Sequence, residues 1–307
     1  MIFRALSSKR SILFILAWYI SCAPPRSLLN ITGDPGFKRK INELISSSGL
    51  DVSMGIKIVS LSSGETLYGL NNHKLLLPAS NNKLYTCAAA IERLGADHVF
   101  TTTVLRNGGN LILKGGGDPD LTIDRLDSLA KISVNVIKNV DTLFVDESLM
   151  DTMYYGEGWM WDEGSWWYAA PISAMSVNDN CIDFYVDPGQ LGGPAKVDHY
   201  PRTSYFRFVN NSITVNDTLD LKKFNIERDW AGRTNQFTIT GEILDTAKTD
   251  TFYRNIHDPA LFSGTLFKEL LELHGAKIKN ILIGNSSGIL DTIAVHRSDS
   301  LIHSAFN

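Results

Sequence analysis

The chain has 307 residues, room for two domains with a sizeable core, and its 44% hydrophobic and 20% charged composition is that of a soluble globular protein. Lys and Arg number 29 against 33 Asp and Glu, and the net charge of −4 excludes a strongly basic nucleic-acid-binding protein. No low-complexity tract or short-period repeat is present.

The N-terminal segment departs from that average. Arg4, Lys9 and Arg10 precede the apolar run SILFILAWYI, which is too short for a comfortable membrane span. Ser21, Cys22 and Ala23 follow, then Pro24 and Pro25. This layout predicts a secretory signal peptide over residues 1–23 and an exported protein, periplasmic or in the cell envelope. An uncleaved anchor is the alternative, and lipidation at Cys22 a lesser one, because Tyr19 fits poorly three positions before it. With Cys22 removed, Cys87 and Cys181 remain, either as one disulfide or as free thiols. The seven histidines are scattered, without the close Cys/His spacings of a structural zinc site, and no metal or cofactor is expected.

FKRKINELISSSG predicts a helix with Ile41, Leu44 and Ile45 on one side and Gly49 near its end. DVSMGIKIVSLSSGETLYGLN reads as a strand pair turning at Ser62, Ser63 and Gly64. Pro78 punctuates the start of another helix, with Leu84, Ala88 and Ile91 at helical spacing. From FTTTVLRNGGNLILKGGGDPDLT onward, short alternating strands and glycine turns take over. IDRLDSLAKISVNVIKNV predicts a helix, DTLFVDES a strand, and residues 186–240 are mainly β. DPALFSGTLFKELLELHG is an amphipathic helix, with Leu261, Phe262, Leu266, Leu270 and Leu273 at three- and four-residue steps. The order predicts an α/β protein of the α+β type, one domain interrupted by an insertion.

Ser80 and Lys83 stand three apart in the first turn of the Pro78 helix, and so share a face. A serine there lies near unsatisfied backbone N–H groups and the positive end of the helix dipole. Small residues at Ala88–Ala90 predict close burial of the helix, and burial would favour a neutral Lys83 able to accept the serine proton. On spacing alone, a nucleophile with its base and a solvated surface pair are equally good readings. A second Ser-x-x-Lys, Ser128 to Lys131, reads as a chance match on an ordinary helix.

LLLPASNNKLYTCAAAIERLG followed by FTTTV resembles the low-molecular-mass class C penicillin-binding proteins, serine D-alanyl-D-alanine carboxypeptidases and endopeptidases of peptidoglycan. The resemblance continues in order through LILKGGGDPDLT, LFVDESLMD, GEGWMWDEGSWWYAAPISAMSVNDN and IHDPALFSGTLFKELLELHG, covering roughly residues 40–307. It implies a transpeptidase/β-lactamase-like domain split by a mainly β insertion. On that plan residues 31–98 are the first part of the catalytic domain, 99–250 the inserted domains with a sub-domain near 186–240, and 251–307 the resumed catalytic domain. It implies Ser80 as the acyl-accepting nucleophile and Lys83 as its proton acceptor. The implied partners are a stem peptide ending in D-Ala-D-Ala and β-lactams, without nucleic acid, and with membrane contact only through an anchor or a lipid at Cys22.

The family also uses a Ser-x-Asn and a Lys-Thr/Ser-Gly. SVN at Ser176–Asn178 matches the family's separate SALSxNDN segment instead. KTD at Lys248–Asp250 puts a carboxylate where glycine belongs, and YRN at Tyr253–Asn255 lies at the return to the catalytic domain. IAVHRSDSLIHSAFN resembles the stretch just before Ser-x-Asn, so the resemblance implies a truncated catalytic domain whose C-terminal part is missing. The chain as written is then expected to be poorly soluble and scarcely labelled by penicillin.

Trp159, Trp161, Glu163, Trp166, Trp167 and Tyr168 fall within ten residues. They form either a packed aromatic core at a domain junction or a pocket wall. By position the resemblance implies that Glu163 and Tyr168 receive the amino-bearing end of the stem-peptide side chain, a role suited to a carboxylate beside an aromatic ring. The competing readings are a truncated non-catalytic relic or cell-wall-binding protein, and, third, a β-lactamase.

Overall fold

The computed structural model describes residues 34–160, 163–285 and 288–306. The expected signal peptide, Cys22 and Trp161 lie outside them. Two compact units divide the chain, Met1–Lys83 and Leu84–Asn307.

In the first unit, helix α1 (Pro35–Ser47) starts at Asp34, whose carboxylate accepts from the Phe37 N–H at 3.0 Å while Pro35 takes the first helical position. Strands β1 (Ile56–Val59) and β2 (Thr66–Leu70) form the expected antiparallel pair, with Gly64 in the left-handed region at the turn. Tyr68 on β2 is 4% exposed, and its hydroxyl donates to Asn42 Oδ1 at 2.6 Å, tying the hairpin to α1. A single 3-10 turn over Ala79–Asn81 leads into helix α2 (Asn82–Leu94), which crosses into the second unit.

The second unit is built on a five-stranded mixed sheet. Its strands are β3 (Thr101–Asn107), β4 (Asn110–Lys114), β5 (Asn139–Asp146), β14 (Lys277–Ile283) and β15 (Asp291–Arg297), in the order β14-β5-β4-β3-β15. The β14-β5 and β5-β4 pairs are parallel and the other two antiparallel. Helices α3 (Ile123–Val136) and α4 (Pro259–Leu273) pack against each other, and α4 also lies on β5 and β14. Gly264 permits the close approach, since a Cβ there would meet Val145 Cγ2 at 2.5 Å. Leu126, Leu129, Leu143, Val145, Phe262 and Phe267 fill the space between.

The segment between β5 and α4 is mainly β. Strands β6 (Cys181–Asp187), β7 (Lys196–Tyr200) and β13 (Asp250–Asn255) make an antiparallel sheet. A second sheet holds β8 (Arg207–Asn210), β10 (Asn225–Arg228) and β11 (Gln236–Thr240), and β9 (Ile213–Val215) pairs with β12 (Glu242–Leu244). Strict alternation on β11 buries Phe237 and Ile239. Phe237 meets Phe184 of β6 at 5.2 Å, joining the sheets in one aromatic cluster. A short helix, α5 (Leu301–Phe306), follows β15.

Two local expectations change. The helix predicted from Ile123 ends at Val136 rather than reaching Val140, because Ile137 is extended and Val140 is buried in β5. Leu273, placed on the apolar side of α4, is 74% exposed, and Phe267 and Leu271 are buried instead.

Candidate functional site

Ser80 sits in the 3-10 turn that precedes α2, after Ala79 at φ 45°. The Asn82 N–H closes back onto the Ala79 and Ser80 carbonyls, so the serine is held at the N-terminal end of the helix. Lys83 is the second residue of α2, three positions on. Both side chains are exposed, and neither has a hydrogen-bond or ion-pair partner among the described residues. The burial expected for this helix is not found: no residue of α2 is buried, Leu84 is 71% exposed and Tyr85 75%. Ala88 and Ala89 are small but face outward.

The aromatic segment is surface, not core. Trp159 is 38% exposed and Tyr168 55%, with Trp166 and Trp167 between them. Trp166 stacks on Tyr168 at 6.3 Å and 9°, and Trp167 meets the Tyr168 edge. This exposed segment is anchored from β13. The Arg254 guanidinium lies 4.5 Å from the Trp166 ring centroid, and its Nε donates to the Ile226 carbonyl. Asn255, fully buried, directs its Nδ2 at the carbonyls of Gly164 (3.1 Å), Trp166 (2.8 Å) and Ala169 (3.0 Å). Its Oδ1 accepts from Arg228 Nη2 at 3.0 Å and Nε at 3.2 Å. Burial lowers the pKa of Arg228 from its ordinary value, while charge and hydrogen bonding at Tyr155 work in the opposite sense.

Beside this anchor lies a cavity of about 740 Å³, lined among others by Tyr154, Trp159, Glu163, Trp230, Arg233 and His257. Its Tyr154 wall is fixed by the buried Glu147, whose carboxylate accepts from the Tyr154 hydroxyl at 2.7 Å and from Ser173 Oγ at 2.6 Å. Gly164 is left-handed at φ 56°, and a Cβ there would press on the Trp230 ring at 3.1 Å. Glu163 stands on the wall with no side-chain partner among the described residues. Tyr168 does not line this cavity; it belongs to the exposed stack.

The motifs set aside in the sequence have structural occupations. Ser128 Oγ donates to the Asp124 carbonyl at 2.9 Å and Lys131 pairs with Asp127 at 2.6 Å, both on the surface of α3. Asn178, Asp179 and Asn180 form a left-handed run, with Asn180 Nδ2 donating to Ser176 Oγ at 2.9 Å. Thr249 Oγ1 donates to Asp187. YRN supplies the Arg254–Asn255 anchor, which sequence reasoning passed over. Cys87 and Cys181 are both free thiols, and burial, with Asp179 and Asp183 nearby, pushes the Cys181 pKa up.

The profile of the D-Ala-D-Ala carboxypeptidase 3 (S13) family matches residues 37–304. The chain is 30% identical over 259 residues to a D-alanyl-D-alanine carboxypeptidase of Actinomadura sp. (strain R39), covering 79% of this chain and 48% of that protein. It is 29% identical over 153 residues to the D-alanyl-D-alanine carboxypeptidase DacB of Haemophilus influenzae, covering 45% of this chain and 32% of the relative. The crystal structure of penicillin binding protein 4 from Haemophilus influenzae superposes with a TM-score of 0.67 at 22% identity, over 80% of this chain and 56% of that one. This likeness establishes the mixed α/β fold. The chain spans about half the length, or less, of these curated relatives.

Proposed function

Because the chain belongs to the D-Ala-D-Ala carboxypeptidase 3 (S13) family, we propose that it is the Ser80-bearing portion of a serine D-Ala-D-Ala carboxypeptidase/endopeptidase of peptidoglycan. The observation that carries this reading is Ser80-x-x-Lys83 at a helix N-terminus, open to solvent, within a family match over residues 37–304. Lys83 takes the Ser80 proton, and Oγ attacks the carbonyl of the penultimate D-Ala. The C–N bond breaks, D-Ala leaves with the proton on its amine, and the peptide remains as an acyl ester. Water then releases the shortened peptide. The Ser80 backbone N–H stabilises the oxyanion. Penicillin acylates the same oxygen and leaves slowly. Glu163, on the cavity wall, receives the ammonium of the stem-peptide side chain. Residues 1–23 export the protein to the cell envelope.

The test is a fluorescent penicillin applied to the protein isolated from its own envelope fraction. One label per chain, lost in Ser80→Ala, on a polypeptide beginning near residue 24 is the expected result. Label retained in Ser80→Ala, or none at all, would overturn the assignment. A second reading, cell-wall binding without catalysis, is favoured by the aromatic cavity, whose lining lies entirely within Leu84–Asn307 and so needs neither Ser80 nor Lys83.

A further inference from the structure

The sheet of β13, β6 and β7 has one face in the core and one in solvent. Alternation turns Ile182, Phe184 and Val186 of β6 inward, all fully buried, and Asp183 and Tyr185 outward. The register then sets the outer side chains in rows across the three strands. One row is Tyr253–Asp183–Tyr200, and the next is Thr251–Tyr185–Asp198. Tyr185 and Tyr200 are each 37% exposed and Tyr253 47%, three large rings on a solvated face.

Charge on this face is uneven. Toward one end it is balanced, since Asp198 pairs with Arg202 at 2.5 Å and Lys196 stands opposite Asp187. Around the first row it is not. Asp183 accepts from Asn178 Nδ2 at 3.4 Å, a neutral donor. Asp120, Asp124 and Asp179 gather nearby: Asp124 and Asp183 both act on Tyr200, Asp179 on Asp183, and Asp120 on Asp179. None of these four carboxylates has a cationic partner among the described residues. Burial, with Asp179, raises the Asp183 pKa against the Asn178 hydrogen bond, a cost that a bound cation would relieve.

We propose that this face docks a partner protein through an arginine- or lysine-bearing segment, with a cation seated over Asp183 between Tyr200 and Tyr253 and beside Tyr185. Neighbouring strands lie about 4.8 Å apart, so a cation centred on β6 is within about 6 Å of the ring columns on β7 and β13, the range of cation–π attraction. Arginine adds a planar stack on tyrosine and two parallel donors to a carboxylate. Tyrosine is among the residues that enrich protein interfaces. A second copy of the chain is a poorer occupant, because the chain carries −4 and a two-fold pairing would set these carboxylates against their own copies. A small ammonium ligand is poorer too, since an open sheet face encloses little of it. The surface uses neither Ser80 nor the Glu163 cavity, and stands apart from the function proposed above.

The experiment is calorimetric titration of the whole chain with hexaarginine, hexaglutamine and chitohexaose. Hexaarginine is expected to bind and the other two are not. Asp183→Asn keeps an acceptor for Asn178, and Tyr185→Thr keeps a β-branched strand residue, so each removes a recognition group without breaking its strand. Each is expected to weaken hexaarginine at least about threefold, and the two together at least about tenfold. Glu92→Gln, which instead removes an exposed carboxylate on α2, is expected to leave the affinity unchanged. Equal weakening by Glu92→Gln would reduce the effect to net charge and overturn the site. Hexaarginine binding that survives both face substitutions, tighter binding of chitohexaose, or no binding of hexaarginine would overturn it as well. Self-association seen by sedimentation and lost in Tyr185→Thr would assign the face to a second copy instead.

Discussion

Asn255 shows how one side chain can place a surface it never reaches. Its amide protons are shared among the carbonyls of Gly164, Trp166 and Ala169, and its oxygen takes two donors of Arg228. These partners lie 86 to 91 residues away for the carbonyls and 27 for the arginine. Removing the amide would leave buried carbonyls and a buried guanidinium unsatisfied, at about 1–3 kcal/mol for each buried group left without a partner. Asn255→Ala is therefore expected to destabilise the protein by about 3 kcal/mol, read as a lowered urea midpoint at unchanged slope. A change under about 0.5 kcal/mol would mean that the aromatic segment holds itself in place.

At the scale of elements, α3 and α4 are joined by one carboxylate. Asp127 of α3 accepts from Lys131 one turn on at 2.6 Å and from His274, the residue ending α4, also at 2.6 Å. Burial opposes its ionisation, but the hydrogen bonds from Lys131 and His274 outweigh it and hold the pKa below the ordinary 3.8. A depressed acid stabilises the folded state fully above its unfolded pKa and loses that contribution as pH falls through the folded value. Asp127→Asn should accordingly cost about 1 kcal/mol at pH 7, with the difference from wild type narrowing as pH falls below the ordinary 3.8 in denaturant titrations. A difference that stays constant as pH falls well below 3.8 would assign the effect to packing instead.

The helices themselves were legible by apolar spacing, to which the structure adds an Asp N-cap and a first-turn proline on both α1 and α4. The strand alternation was legible for the same local reason. Their ends were not, since Ile137 leaves the helix only because Val140 is required in the sheet. Spacing put Ser80 and Lys83 at one helix end, and the family resemblance singled out Glu163, which lines the cavity. The setting of α2 was not, because small residues permit burial without supplying a partner. Arg228, Arg254 and Asn255 carried only one local signal, a polar triplet inside a strand, and their long-range partners leave no mark on neighbouring residues.

For the molecule as a whole, the two units differ in what could hold each together. Among the described residues of the first, Tyr68 is the buried hydrophobic side chain, while Leu61, Leu75 and Leu77 are almost fully exposed. A two-stranded hairpin and one helix around a single ring cannot offset the entropy of ordering some fifty residues at about 1–2 kcal/mol each. The second unit has five- and three-stranded sheets, two packed helices and a continuous core from Val104 to Ala294. Residues 84–306 alone are thus expected to unfold in one cooperative urea transition, and residues 34–83 alone to show a flat, non-sigmoidal response and to enhance the fluorescence of an apolar dye. The consequence for function is direct. Ser80 is carried on the weaker unit, whereas the Glu163 cavity belongs wholly to the stronger one. A sigmoidal transition from residues 34–83 alone would show instead that the Ser80 turn belongs to a unit that orders itself.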